Sequence, residues 1–418
     1  MRRGLGLLLV AMLGCDALWS SSLIPNPQRC DVTPSVCAAS EVCDVGSGLC
    51  KAAVVPGTAR CGVAWRTGTA AASFQTTTTL VSTGTAGDLV SIALGDLNGN
   101  GRLDLAAVSD AGTLWTYLGS GDGQLASLGT ASIGGTAGLL RLADFNGDGR
   151  ADLAVSNTGL LQMHTIPSSS GGALGTASLR AVASLNGPFA VADLDGTAGP
   201  DVAVAVAGMN GLSVLLGSGT GGLAAGQTVP NSRPVSRLTA ADLNGDSSPD
   251  LATIVTGDAE FYVYFNRNNN SQTYMRQLHG LPAGHYAYSI SSGDFDCDGN
   301  IDLVFGTTGN NRIAVYYGDG QGDFPAFATV STPAEPRELA SGDVDGDGNI
   351  DIIYSDKNGE VFVLPGTGTR ALTTTSQHIP GPQATAELQL ADINNDGKTD
   401  IAIVHQYKSI MMLLNATP

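Results

Sequence analysis

One ten-residue pattern, repeated seven times at nearly even spacing, limits what this 418-residue chain can fold into more than its size does. The copies read DLNGNGRLDL from Asp96, DFNGDGRADL from Asp144, DLDGTAGPDV from Asp193, DLNGDSSPDL from Asp242, DFDCDGNIDL from Asp294, DVDGDGNIDI from Asp343 and DINNDGKTDI from Asp392. Successive first aspartates lie 48, 49, 49, 52, 49 and 49 residues apart. A period of that length marks one supersecondary unit copied along the chain, each copy burying its apolar face only against its neighbours.

Within each copy, oxygen-bearing side chains stand at positions one, three, five and nine, and glycine usually at six. Ca2+ takes about six to eight hard oxygen ligands, and alternate side chains on a tightly turned backbone converge on one point, with a main-chain carbonyl from position seven filling in. Glycine at position six permits the positive φ that such a turn needs. An EF-hand opens in the same way but requires a bidentate Glu at position twelve and flanking helices. Position twelve here is Ala107, Val155, Val204, Thr253, Phe305, Tyr354 and Ile403, which excludes it. The alternative for any one loop is an Asx-type turn closed by its own hydrogen bonds without metal.

The ninth-position Asp runs straight into apolar segments such as Leu105 to Val108, Val202 to Val206 and Ile352 to Tyr354, which read as strands. Another apolar segment precedes each loop, and a third follows a polar turn, as in Leu114 to Leu118 and Val361 to Leu364. The residue before the first Asp is always small (Gly95, Ala143, Ala192, Ala241, Gly293, Gly342, Ala391), as expected where innermost strands crowd together. A fourth short strand completes the unit. Four strands in each of seven units describe an all-β, seven-bladed β-propeller of four-stranded blades. Only two strands follow the seventh loop, and the segment 72–81 before the first repeat resembles the missing outer strand; it is expected to pair there and close the ring.

These motifs resemble the FG-GAP or VCBS-type repeat of integrin α-subunit heads and many secreted bacterial proteins, over residues 70–418. The resemblance implies up to seven Ca2+ ions, each in the loop joining the first two strands of a blade. Its side-chain ligands would be Asp96, Asn98, Asn100 and Asp104; Asp144, Asn146, Asp148 and Asp152; Asp193, Asp195 and Asp201; and Asp242, Asn244, Asp246 and Asp250. The remaining sets are Asp294, Asp296, Asp298 and Asp302; Asp343, Asp345, Asp347 and Asp351; and Asp392, Asn394, Asp396 and Asp400. Thr197 and Ala198 in the third loop, and Ser247 in the fourth, depart from the pattern.

Ahead of the repeats, Arg2-Arg3 and the apolar run Leu5 to Leu13 read as a signal peptide over residues 1–14. The sequence Ala11-Met12-Leu13-Gly14-Cys15 resembles a bacterial lipobox, which implies lipidation of Cys15 and a membrane anchor at the cell envelope. Residues 15–69 form a small cysteine-rich neck in which Cys30, Cys37, Cys43 and Cys50 suit two disulfides of open connectivity. Cys61 and the distant Cys297 either pair or remain free thiols. With 38 acidic against 20 basic residues, no surface offers the cationic footprint that nucleic acid requires.

If the loops occupy one face, the turns near Asp110, Asn157, Asn210, Asp258, Asn310 and Asn358 occupy the other. Connections expected to hold Arg233, His279, His285, Tyr286, Pro333 and Arg337 join them there. Among these, the 279–288 segment, in the unit of longest spacing, places His285, Tyr286 and Tyr288 as candidate contacts for a sugar or peptide, against a merely longer loop. No nucleophile elbow, zinc-protease pair or phosphate loop is present, and the five histidines stand singly. The reading is an exported calcium-binding module for an extracellular or periplasmic protein or glycan. The alternatives are a polysaccharide-active lyase or hydrolase on the same scaffold, and a structural spacer. Convergent carboxylates away from the loops would favour the enzyme, and an aromatic patch on the free face would favour the binder.

Overall fold

The computed structural model describes residues 41–44, 49–52, 61, 72–80 and 87–417, apart from 198, 208–210, 232, 256–257 and 268–272. The leader, Cys15, Cys30 and Cys37 lie outside the described residues. In the neck, Glu41–Asp44 and Leu49–Ala52 form a hairpin that sets Cys43 opposite Cys50. Among the described residues there is no helix long and apolar enough to cross a membrane.

Each of the first six repeats folds into an antiparallel four-stranded blade with its strands in sequence order, and the seventh follows the same order for its three inner strands. Blade one consists of Leu89–Gly95, Asp104–Ser109, Thr113–Gly119 and Leu125–Ser132, and the ten-residue motif joins its first strand to its second. The first strands of all seven blades pack side by side in a closed ring, the seventh against the first. Blades six and seven share one 15-residue strand, Gln377–Ala391, whose start pairs with Glu360–Leu364 and whose end pairs with Asp400–His405. Phe74–Leu80 pairs antiparallel with Ser409–Asn415 and supplies the outer strand of blade seven, as its sequence predicts. No broad edge is left at the seam.

One apolar cluster fills each of the seven interfaces between adjacent blades. Second strands such as Asp104–Ser109, Asp201–Val206 and Asp351–Asp356 are buried over their whole length, which explains their near-continuous apolar sequence. Position two of every loop (Leu97, Phe145, Leu194, Leu243, Phe295, Val344, Ile393) is also buried, and each enters the cluster shared with a neighbouring blade. The loops are thus keyed into the core by an apolar side chain between their polar ones. The crowding expected before the first Asp is present: a Cβ on Gly95 would lie 2.9 Å from Leu142, and one on Gly342 would lie 3.0 Å from Leu390, both in the next blade.

Candidate metal centres and the opposite face

The ninth-position aspartates are the least solvent-exposed acids among the described residues, and they hold two strands and a loop together. Asp104 accepts the Leu97 N–H at 2.9 Å through Oδ2 and the Gly119 N–H, at the end of the third strand, at 2.8 Å through Oδ1. The same pair recurs in every blade, for example Phe295 and Gly318 on Asp302, Val344 and Gly366 on Asp351, and Ile393 and Asn415 on Asp400. Burial outweighs these hydrogen bonds. It pushes Asp104, Asp152, Asp201 and Asp400 up to about 6, Asp250 and Asp302 up to about 7, and Asp351 up to about 8.

The first aspartate gathers the loop's own amides. Asp96 Oδ1 accepts Gly99 N–H at 2.7 Å and Asn100 N–H at 3.0 Å, while Oδ2 accepts Gly101 N–H at 2.6 Å. Position three caps position five, as in Asn98 to Asn100 at 3.0 Å, Asn146 to Asp148 at 2.9 Å and Asn394 to Asp396 at 3.0 Å. Such bonding curls the backbone through left-handed conformations at two places. Position six has positive φ where glycine predicts it (Gly101 78°, Gly348 86°), and Ser247 adopts 68° in the fourth loop. Position four is also left-handed in all seven loops, at Gly99, Gly147, Gly196, Gly245, Cys297, Gly346 and Asn395.

All the sequence-predicted metal-site residues lie in these loops, on one face of the ring. In the third, fifth and sixth loops three carboxylates converge, each with an oxygen within 4.8 Å of the others: Asp193, Asp195 and Asp201; Asp294, Asp296 and Asp302; Asp343, Asp345 and Asp347. The third loop gathers its aspartates despite Thr197 and its departure from the glycine pattern. A carboxylate has about four acceptor sites, so one that takes a backbone N–H can still bind a cation. An oxygen-only set fits a hard divalent ion such as Ca2+ and does not suit zinc or copper.

The fifth loop is held from outside as well. Cys61 and Cys297 form a disulfide, the paired alternative of the two open in the sequence, and Cys61 Sγ lies 3.3 Å from the Asp294 carbonyl oxygen. From the connection after the third strand of blade six, Arg370 reaches Asp296 Oδ2 at 2.6 Å and Asp298 Oδ2 at 3.3 Å, its guanidinium over the Tyr317 ring.

On the opposite face the three candidate contact residues separate. His285 is buried, Tyr286 is exposed, and Tyr288 is half-buried on the first strand of blade five. Burial lowers the pKa of His285, with Arg312 acting in the same direction. His279 belongs to the outer strand Tyr274–Gly280 and stacks on Phe261, so it is not part of a connection. Tyr286 and Arg337 likewise lie within first strands. Sequence spacing gave no sign of the partners that Tyr288 finds: Arg337 lies 4.3 Å and Arg237 lies 5.8 Å from its ring centroid, from the blades on either side. Arg237 also pairs with Glu338 at 3.3 Å, and Arg141 with Glu387 at 2.7 Å. Glu338 keeps some access to water yet is walled in by protein, and that burial raises its carboxyl pKa against the pull of Arg237. Each of these two carboxylates is therefore engaged by an arginine.

A family model described as an FG-GAP-like repeat matches residues 96–155, 298–354 and 343–403. No curated protein sequence matches the chain. Among solved structures, the chain is similar to BBS1N from its complex with ARL6DN, at 10% identity and TM-score 0.57, over 83% of this chain and 98% of that one. It is also similar to an Agrocybe aegerita lectin described as recognising non-reducing terminal N-acetylglucosamine, at 20% identity and TM-score 0.53, over 79% of this chain and 86% of that one. At these identities the likeness concerns the fold. With seven four-stranded blades, each carrying the repeat's aspartate loop between its first and second strands, the chain is an FG-GAP-type seven-bladed β-propeller.

Proposed function

We propose that the protein is an exported, calcium-organised binding module of the bacterial cell envelope, anchored through Cys15 and engaging a glycan or protein on the face away from its metal loops. The observation that carries the calcium part is the convergence of three carboxylates in each of three loops. Ca2+ would be held by the aspartates and asparagines at positions one, three, five and nine, and would neutralise much of the −18 net charge. The lipobox-like Ala11–Cys15 segment supports export and anchoring.

For the ligand face, the support is Tyr288 flanked by two arginines beside the exposed Tyr286. An aromatic ring with forked donors near it suits the apolar faces and hydroxyls of a sugar, or a peptide carboxylate. The lectin of the same fold places glycans first in a screen. Metal analysis of the folded protein, coupled to glycan and envelope-protein binding with and without chelator, tests the reading. Five to seven ions and chelator-sensitive binding are expected; absence of calcium, or turnover of polysaccharide, would overturn it.

A further inference from the structure

Position four of the loop takes a left-handed φ in all seven copies, and five copies place glycine there. The seventh uses Asn395, a side chain that tolerates this region, and the fifth uses Cys297, at φ 60°. A cysteine has no such tolerance, yet Cys297 is the residue bonded to Cys61, from a segment 236 positions earlier. The bond fixes position four and sets Cys61 against the position-one carbonyl, while Arg370 grips positions three and five. No other loop is braced by a disulfide among the described residues.

We propose that the fifth loop is a redox-gated cation site, in which the Cys61–Cys297 disulfide holds a strained residue in the conformation that metal binding needs. This rests on the calcium reading above and adds regulation to it. Cys297 is exposed, so a dithiol reaches it. One thiolate attacks Cys297 Sγ and expels the Cys61 thiolate, which takes a proton; the second sulfur then attacks the mixed disulfide and releases Cys297 as a thiol. The products are two cysteine thiols and the oxidised cyclic disulfide of the reductant. Freed from its tether, Cys297 relaxes toward right-handed φ, and the backbone between Asp296 and Asp298 turns the two carboxylates apart. Linkage is reciprocal, so calcium in the loop makes the disulfide harder to reduce by the same factor.

The test is calcium titration of the full chain, oxidised and after dithiol treatment, beside Cys61→Ala, Cys61→Ala/Cys297→Gly and, as a marker for this loop, Asp296→Asn/Asp298→Asn. Reduction and Cys61→Ala should weaken one site about tenfold, the scale of one strained backbone residue. Cys297→Gly should restore that site, because glycine needs no tether, and reduction should change nothing in the marker variant. Melting in excess chelator confirms that each variant is folded, and reversible reduction of the unsubstituted chain stands in for any that is not. An unchanged titration on reduction, or failure of Cys297→Gly to rescue, overturns the gating. Calcium bound elsewhere with no site lost in the marker variant also overturns it, while leaving the broader reading intact. No calcium in the oxidised chain overturns both.

Discussion

At the scale of single residues, the ninth aspartate shows why charge spacing alone reveals only half of a site. Its place among the oxygen donors is legible in sequence; its grip on the end of the third strand is not, because Gly119 or Gly366 lies fifteen residues further on. Asp351→Ala should therefore destabilise the chelated protein by about 2–5 kcal/mol, the cost of two buried amides left without an acceptor, as read by urea unfolding. The raised carboxyl values have a definite sign. A folded-state pKa above the unfolded value near 3.8 gives stability that is full below that value and lost as pH rises through the folded one, here about 6 to about 8. Metal-free protein should melt at steadily lower temperature from pH 5 to pH 8, and saturating calcium should remove most of that decline. A flat or rising profile in chelator would count against the burial argument. The left-handed turn at position four was missed in the sequence, where only the position-six glycine was read; glycine at position four in five of the seven copies was the signal for it.

Among the strands, ring closure was legible because a blade short of one strand and a spare strand ahead of the first repeat imply each other. A chain beginning at Gly87 should leave blade seven with an open apolar edge, and should melt earlier and self-associate, as light scattering would show. The inner half of the seam was not legible. Glu387 Oε2 accepts Ser91 Oγ at 2.6 Å and Ile92 N–H at 2.9 Å in blade one, and its Oε1 pairs with Arg141 in blade two. One carboxylate thus spans the junction of the last blade with the first two. Glu387→Ala takes the acceptor from the buried Ile92 N–H and the carboxylate from Arg141, which with Ser91 keeps only the Leu140 carbonyl, and a loss of about 1–3 kcal/mol is expected from thermal or urea unfolding. The sharing of Gln377–Ala391 between two blades also escapes the sequence, since no turn signal is missing until both pairings are known.

For the whole molecule, repeat count, strand count and the segregation of loops to one face all follow from a single motif and its spacing, because a propeller admits little freedom once these are fixed. Sites that combine blades resist such reading: Tyr288 meets arginines roughly fifty residues away on either side in sequence. More than half of the 38 acidic residues lie in the loops, so the acidity is concentrated on one face while Arg141, Arg237 and Arg337 stand on first strands. Tyr288→Ala with Arg337→Ala should abolish ligand binding found in the screen while leaving calcium stoichiometry and melting temperature within error; a variant that still binds would move the contact surface elsewhere.

The disulfide also has a mechanical side. A strand such as Phe74–Leu80, paired antiparallel at the edge of a sheet and pulled from its first residue, peels away one hydrogen bond at a time. Tension applied anywhere ahead of Cys61 does not reach it, because the sulfur bridge diverts the force into Cys297 and the interior of blade five. A propeller tethered by its N-terminal segment under shear is thus pulled on a covalent bond and a packed blade, and its closing strand is left unloaded.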